Sequence, residues 1–284
     1  MYIKKILNEL GIIPRKSRGQ NFLIDENIAK KIVNFASIQK DDLVLEIGAG
    51  VGAISGGLIE KARDYFGVEI EEKFVDFLRT IYPDLPPKHF INKDIRQLDL
   101  AEIFTNTKFI IVSNLPYSIS SEVVFWILKN RQYIKAVTLL LQREFAQRLA
   151  AQPNTKDYGS ITVQCNLYTN SKLGDIVSGN CFVPKADVES RLIKLEILDT
   201  PRFKIDNEEL FERVLRGAFS TRRKTIANAL KASLCNSNSA LGFRLVPEDL
   251  LHILEVLHID SSCRAETLTV EDFCKISNKL GEFY

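Results

Sequence analysis

Two groups of residues have the types and spacing for chemistry on a nucleotide. In Glu46-Ile47-Gly48-Ala49-Gly50-Val51-Gly52, glycines occupy alternate positions directly after a short apolar run. Glycines at a strand end let the backbone turn tightly and pass close to a ligand. Glu69 lies about 20 residues further on, where a Rossmann-type carboxylate bonds ribose hydroxyls. Asp94 follows a third apolar run and offers an acceptor to an adenine amino group. The stretch Gly48-Ala49-Gly50-Val51-Gly52-Ala53 also fits the G-x-G-x-x-G/A form of a dinucleotide site, so the glycines alone leave the cofactor open. Glu46 favours S-adenosylmethionine, because an acidic residue beside the loop suits a cationic methionine group better than a pyrophosphate.

The second group is Ser113-Asn114-Leu115-Pro116-Tyr117, directly after a fourth apolar run. Asn and Pro are ordinary turn residues, so a bare turn competes with a functional reading. At the carboxyl edge of a sheet, however, these residues have a joint meaning. The N6 lone pair of adenine is delocalised into the ring, which makes the amino group a poor nucleophile. The Asn114 side-chain oxygen and the Leu115 carbonyl can each accept an amino hydrogen, orienting the nitrogen towards a methyl donor. Pro116 stiffens the turn and brings no competing donor. Tyr117 offers a face on which an extruded base can stack. No strong general base is needed, since the amine becomes acidic as it is alkylated.

These motifs need a scaffold, and the apolar pattern supplies one. Leu43–Ile47, Tyr65–Ile70, His89–Ile91, Phe109–Val112 and Ala136–Leu141 read as strands, with a helix over about Glu71–Ile81. Alternation of strands and helices predicts a doubly wound α/β sheet with parallel strands, completed by Lys172–Val177 and Leu192–Ile197. After Thr200-Pro201 only helical periodicity remains, over Glu208–Leu234, Pro247–Leu257 and Val270–Leu280. The expected organisation is a catalytic domain over 1–200 and a small all-helical domain over 201–284.

The five cysteines form no CxxC pair, and His89, His252 and His258 have no ligand spacing, so neither a zinc site nor any other metal is expected. The N-terminus lacks an apolar run long enough for a signal peptide or a membrane span, and a cytoplasmic location is expected. A net charge of +2 does not by itself point to nucleic acid. The distribution does: Arg213, Arg216, Arg222, Arg223, Lys224 and Lys231 face one acid, Glu212, between Phe211 and Lys231. Lys4, Lys5, Arg15, Lys16 and Arg18 make a second basic group. A solvated helix face is the plain alternative. A base-modifying site nevertheless needs a surface nearby that holds the backbone.

The ordered set of motifs resembles the ribosomal RNA adenine dimethyltransferase family of the KsgA/Dim type over nearly the whole chain. Gly19-Gln20-Asn21-Phe22-Leu23 resembles the opening motif that closes over the cofactor. Glu46 to Gly52, Glu69, Asp94 and Asn114 to Tyr117 match in order and spacing, followed by Gln142-Arg143-Glu144 and Tyr158-Gly159-Ser160. Phe182-Val183-Pro184 through Val188-Glu189-Ser190 resembles the aromatic-proline loop, and Arg222 to Ile226 the C-terminal basic helix. The resemblance implies a Rossmann-like S-adenosylmethionine methyltransferase domain with an antiparallel final strand. It implies dimethylation of two adjacent adenosines near the 3′ end of small-subunit rRNA, in an assembling subunit, by a monomer. It assigns Asn21, Leu23, Gly48, Glu69, Asp94 and Asn114 to the cofactor, to which the glycine-turn reading adds Glu46 and Gly50. Asn114 to Tyr117 and Phe182 go to the target base, and Arg222, Arg223 and Lys224 to RNA. Two positions depart: Arg18 replaces an apolar residue, and Ala186 replaces the loop's second proline, which is expected to loosen it. Other readings are a large-subunit rRNA methyltransferase, a DNA adenine methyltransferase, an assembly or transcription factor without catalysis, and an NAD enzyme.

Overall fold

The computed structural model describes residues 2–14, 20–103, 106–235 and 246–282. Arg15, Lys16, Arg18 and Gly19 lie outside the described residues. The chain runs α1 (Tyr2–Glu9), β1 (Phe22–Leu23), α2 (Glu26–Ala36), β2 (Leu43–Ile47), α3 (Ser55–Lys61), β3 (Asp64–Glu69), α4 (Glu72–Ile81) and β4 (Phe90–Asn92). It continues with β5 (Phe109–Asn114), α5 (Ser120–Lys129), β6 (Ile134–Gln142), α6 (Arg143–Leu149), α7 (Ser160–Tyr168), β7 (Thr169–Val177), β8 (Phe182–Val183) and β9 (Ser190–Ile197). Four helices end it: α8 (Glu208–Phe219), α9 (Ile226–Leu234), α10 (Pro247–Val256) and α11 (Val270–Gly281).

Two compact units share the chain: Met1–Ala146 with Asn170–Ile197, and Gln147–Thr169 with Leu198–Tyr284. In the first, the described residues form a seven-stranded sheet of order β4-β3-β2-β5-β6-β9-β7. Strands β4 to β6 are parallel neighbours, and β9 runs antiparallel to β6. All five residues of β2 are buried, as are the first five of β5. Burial on both faces explains why these strands read as continuous apolar runs rather than as alternation. The strand order reverses between β2 and β5, so their carboxyl ends flank the crevice where open α/β sheets bind ligands.

A two-stranded ribbon, which no periodicity in the sequence signals, pairs β1 with β8 and sets Leu23 opposite Phe182. Phe182 is only 2% exposed and packs in the same core cluster as Leu23, Val177 and Leu192. It is therefore a core residue with no face free for stacking, which corrects its assignment to the target base. Ala186 is likewise buried, and its backbone N–H donates to the Gly179 carbonyl at 3.1 Å. A proline there would lack that donor. The loop is pinned at this point, so the expected loosening does not follow.

In the second unit, the helical run expected over Glu208–Leu234 is broken. Helix α8 stops at Phe219, and the Thr225 hydroxyl caps α9 by accepting from the Asn228 N–H. Arg222, Arg223 and Lys224 therefore occupy an exposed turn and not a basic helix. Residues 147–169, placed with the first domain by the boundary at 200, group instead with the C-terminal helices. Helix α7 buries seven of its nine residues, Ile161 to Cys165 together with Leu167 and Tyr168. A helix buried nearly all round, its polar Thr162 and Gln164 included, needs neighbours on every side. Within the unit it packs against α8 and α11.

Candidate active site

The cavity in the first unit holds about 590 Å³ and lies at the carboxyl ends of β2, β3 and β5. That volume falls in the usual range for small-molecule sites. Its wall is made by the turn after β2, where Gly48, Gly50 and Gly52 have φ of +71°, +52° and +80°. These left-handed conformations suit glycine, although the space at Gly48 and Gly50 would itself admit a Cβ. A Cβ on Gly50 would stand 3.5 Å from the Phe22 ring, and one on Gly48 would stand 4.0 Å from Pro116 Cδ.

Glu69 ends β3 and lines the same cavity. Its carboxylate accepts the Gly50 N–H at 2.9 Å, the Ile70 N–H at 2.8 Å and the Glu71 N–H at 3.0 Å. Burial pushes its pKa up, and the three N–H bonds oppose that shift. A carboxylate has about four acceptor positions, so room is left for a ligand hydroxyl. Glu69 thus holds the glycine turn as well as lining the cavity.

Glu46 is almost fully buried at the cavity. Its Oε2 accepts the Ser55 hydroxyl and the Tyr65 hydroxyl, each at 2.6 Å. Burial pushes its carboxyl up to about 7 despite both bonds, and the nearby Glu69 adds to the rise. Gly67 makes the arrangement possible, because a Cβ there would lie 2.8 Å from the Tyr65 hydroxyl. An incoming cation favours the ionised form of such a carboxyl.

Asn114, the last residue of β5, meets the cavity from the opposite side together with Pro116, Ser118 and Ile119. Its Nδ2 donates to the Asn21 carbonyl at 3.3 Å. A carbonyl can only accept, so this bond fixes which end of the amide is nitrogen. The side-chain oxygen is left as an acceptor. The Ser113 hydroxyl donates to the Ile47 carbonyl, tying the end of β5 to the end of β2. Leu115 buries its side chain in the core, which leaves its backbone carbonyl as the proposed acceptor. Tyr117 is half-buried, and its hydroxyl pairs with Ser190 at 2.6 Å. Burial raises its pKa.

Asn21, Leu23, Gly48, Gly50, Glu46, Glu69, Asp94 and Asn114 all line this one cavity. Leu115, Tyr117 and Phe182 do not. Sequence reasoning missed Arg96, which lines the cavity beside Asp94, and gave Ser190, the end of the aromatic-proline loop, no part in holding Tyr117. No group of three or more metal-ligating side chains that could hold an ion occurs among the described residues. All five cysteines are free, and His89 is buried against Phe66 with ring centroids 4.5 Å apart.

Removing Glu69 should cost a ligand hydrogen bond and loosen the glycine turn together. Glu69→Ala is expected to weaken S-adenosylmethionine binding by about 10- to 100-fold, the value of one hydrogen bond to a charged group. Glu69→Gln keeps an acceptor and should lose less. Calorimetric titration of the folded variants checks this, and an unchanged dissociation constant in Glu69→Ala would remove the residue from the site.

The sequence pattern of the family described as "Ribosomal RNA adenine dimethylase" matches residues 13–280. Among curated proteins, the chain is 36% identical to "Ribosomal RNA small subunit methyltransferase A" of Clostridium botulinum strain Kyoto over 279 residues, covering 98% of each chain. It is also 36% identical to the protein of that name from Clostridium acetobutylicum, covering 98% of this chain and 97% of the other. Among solved structures, a dimethyladenosine transferase from Plasmodium falciparum superposes with a TM-score of 0.75 at 24% identity, covering 92% of this chain and 98% of the other. The 23S rRNA methyltransferase ErmE gives a TM-score of 0.65 at 22% identity, covering 92% and 100%. At those identities the structures speak for the fold alone, whereas the family pattern spans nearly the whole chain. This protein belongs to the ribosomal RNA adenine dimethylase family.

Proposed function

We propose that this protein is an enzyme that transfers methyl groups from S-adenosylmethionine to the exocyclic N6 of adenosine in ribosomal RNA, twice per base. The observation that carries the reading is Asn114. Its amide is oriented by the Asn21 carbonyl and stands across one cavity from Glu69 and the glycine turn. The left-handed turn at Gly48 and Gly50, which lines the cavity, and the remaining acceptor capacity of Glu69 fit a nucleoside cofactor. Bound there, S-adenosylmethionine supplies an electrophilic methyl group on a sulfonium sulfur. Asn114 and the Leu115 carbonyl accept the hydrogens of the target amino group and aim its lone pair. Glu69 and Asp94 hold the nucleoside, and Glu46 offers negative charge near the glycine turn.

The name of the relatives favours small-subunit rRNA as substrate. In this reading the protein acts as a monomer in the cytoplasm on two adjacent adenosines of an assembling subunit. No helix among the described residues is long and apolar enough to cross a membrane. The test incubates the protein with labelled S-adenosylmethionine and unmethylated small subunits, then maps the modified nucleotides. Dimethyladenosine in small-subunit rRNA is expected. Label confined to large-subunit rRNA, or binding without transfer, would overturn the reading.

Because Phe182 is buried, stacking of the target base falls to Tyr117. A monomethylated amino group keeps one hydrogen and satisfies only one of the two acceptors. The second transfer therefore depends more on stacking, worth about 1–3 kcal/mol per base. Tyr117→Ala should impair the second methylation at least as much as the first. Mass spectrometry of digested rRNA over time separates the two products, and slowing of the first transfer alone would sink the stacking argument.

A further inference from the structure

We infer that Arg96 is a positioning residue: it locks the Asp94 carboxylate as a fixed acceptor for the cofactor's adenine amino group and so makes the cavity select an amino group at position 6 of the purine. The inference rests on the cofactor reading above and adds a residue that no family motif named in the sequence.

Asp94 caps a single turn, Ile95–Gln97, by accepting the Arg96 N–H on Oδ1 at 3.0 Å. The Arg96 side chain then folds back onto the same carboxylate. Its Nε donates to Oδ1 at 3.0 Å and to Oδ2 at 3.1 Å, and Nη2 donates to Oδ2 at 2.6 Å. Its Nη1 reaches Glu122 in the first turn of α5, the helix that follows the Asn114 to Tyr117 segment. The guanidinium is thus held between carboxylates from two separate elements, and both Asp94 and Arg96 line the cavity.

A simple exposed ion pair contributes little, because water competes and two long side chains must be ordered. This arrangement differs in three respects. The fork contacts both carboxylate oxygens, so it fixes the plane of the carboxyl as well as its position. The outer end of the arginine is anchored by Glu122, so the fork is ordered before a ligand arrives. The Asp94 side chain is only 14% exposed, unlike its partners. The Arg96 guanidinium holds the Asp94 carboxyl below the usual carboxylate range, which keeps it a pure acceptor. Three donor groups of Arg96 already engage this carboxylate, and the acceptor position left takes one N–H of a 6-amino purine. A 6-oxo purine would present another acceptor to it, leaving the purine oxygen without a donor and facing a carboxylate.

The test titrates the full chain with S-adenosylhomocysteine and with its deaminated analogue, S-inosylhomocysteine. Wild type should prefer the amino form by roughly 10- to 100-fold. Arg96→Ala should weaken binding of the amino form and narrow that preference by several-fold. It should also raise the KM for S-adenosylmethionine more than it lowers kcat, since the reacting atoms lie elsewhere. Arg96→Lys, with charge but no fork, should restore affinity only in part. Glu122→Gln, which leaves the fork in place, should fall between wild type and Arg96→Ala. If either Arg96 variant binds and keeps the wild-type preference, Arg96 is a surface ion pair and the inference fails. If wild type shows no preference, or Asp94→Ala leaves the preference unchanged, Asp94 is not the adenine acceptor and the inference falls together with that assignment. Methyl transfer by wild type in the rRNA assay is independent of both results.

Discussion

Asn114→Ala should lower methyl transfer by about 10²-fold or more while leaving the cofactor dissociation constant within a few-fold of wild type. Deleting one aligned hydrogen-bonding group from an active site commonly has an effect of that size. The cofactor side of the cavity is built from Glu69, Asp94 and the glycine turn, all of which the variant keeps. What it loses is an acceptor whose direction is set by the 3.3 Å bond from Nδ2 to the Asn21 carbonyl. Asn114→Asp refines the test. It retains acceptor oxygens but turns one of them against the Asn21 carbonyl, so it should also be impaired. Single-turnover transfer with saturating S-adenosylmethionine measures both variants. Near-normal turnover in Asn114→Ala would sink the mechanism, and normal turnover in Asn114→Asp would sink the role given to orientation.

The second large effect concerns RNA. Replacing Arg222, Arg223 and Lys224 by alanine should weaken binding to rRNA by about 10- to 100-fold near 0.1 M salt. It should flatten the log–log salt dependence by about 0.7–0.9 for each phosphate that the variant no longer neutralises. The three residues are unequal. Arg222 donates to the Lys156 carbonyl and lies 3.7 Å from Glu266, so its guanidinium is already engaged within the helical unit. Arg223 and Lys224 sit in the exposed turn before α9 and should carry most of the effect. The Arg223→Ala/Lys224→Ala pair should therefore approach the triple variant, with cofactor affinity unchanged. A salt slope that stays at the wild-type value would place the RNA elsewhere.

Much of the cavity was legible in the sequence because its makers sit at strand ends. Buried parallel strands write themselves as apolar runs, and the residues after them, Gly48, Glu69, Asp94 and Asn114, are then placed by the topology rule for open sheets. What escaped depends on pairings between distant segments. Two residues are too short to show a strand period, so β1 and β8 were invisible until Leu23 met Phe182. That same pairing buried an aromatic whose exposure no local pattern decides. The break before α9 turned on Thr225 acting as a cap rather than a helix interior residue. Arg96 belongs to none of the sequence motifs. Its role appeared only when its side chain reached both Asp94 and Glu122, which is 26 positions away.

The order in which the chain threads its two units bears on how it is made. When Gln142 leaves the exit tunnel, β6 is complete, but its neighbour β9 ends only at Ile197. At about 5–20 residues per second, the nascent sheet presents the nine-residue β6 as an open hydrogen-bonding edge for roughly 3–11 s. Helix α7, which buries seven of its nine residues in the finished unit, emerges during that interval, and its partner α11 is not finished until Gly281. An unpaired edge and an uncovered helix are what chaperones recognise. Synthesis halted between residues 150 and 197 should therefore yield chains that aggregate when released, whereas chains released after Gly281 should fold.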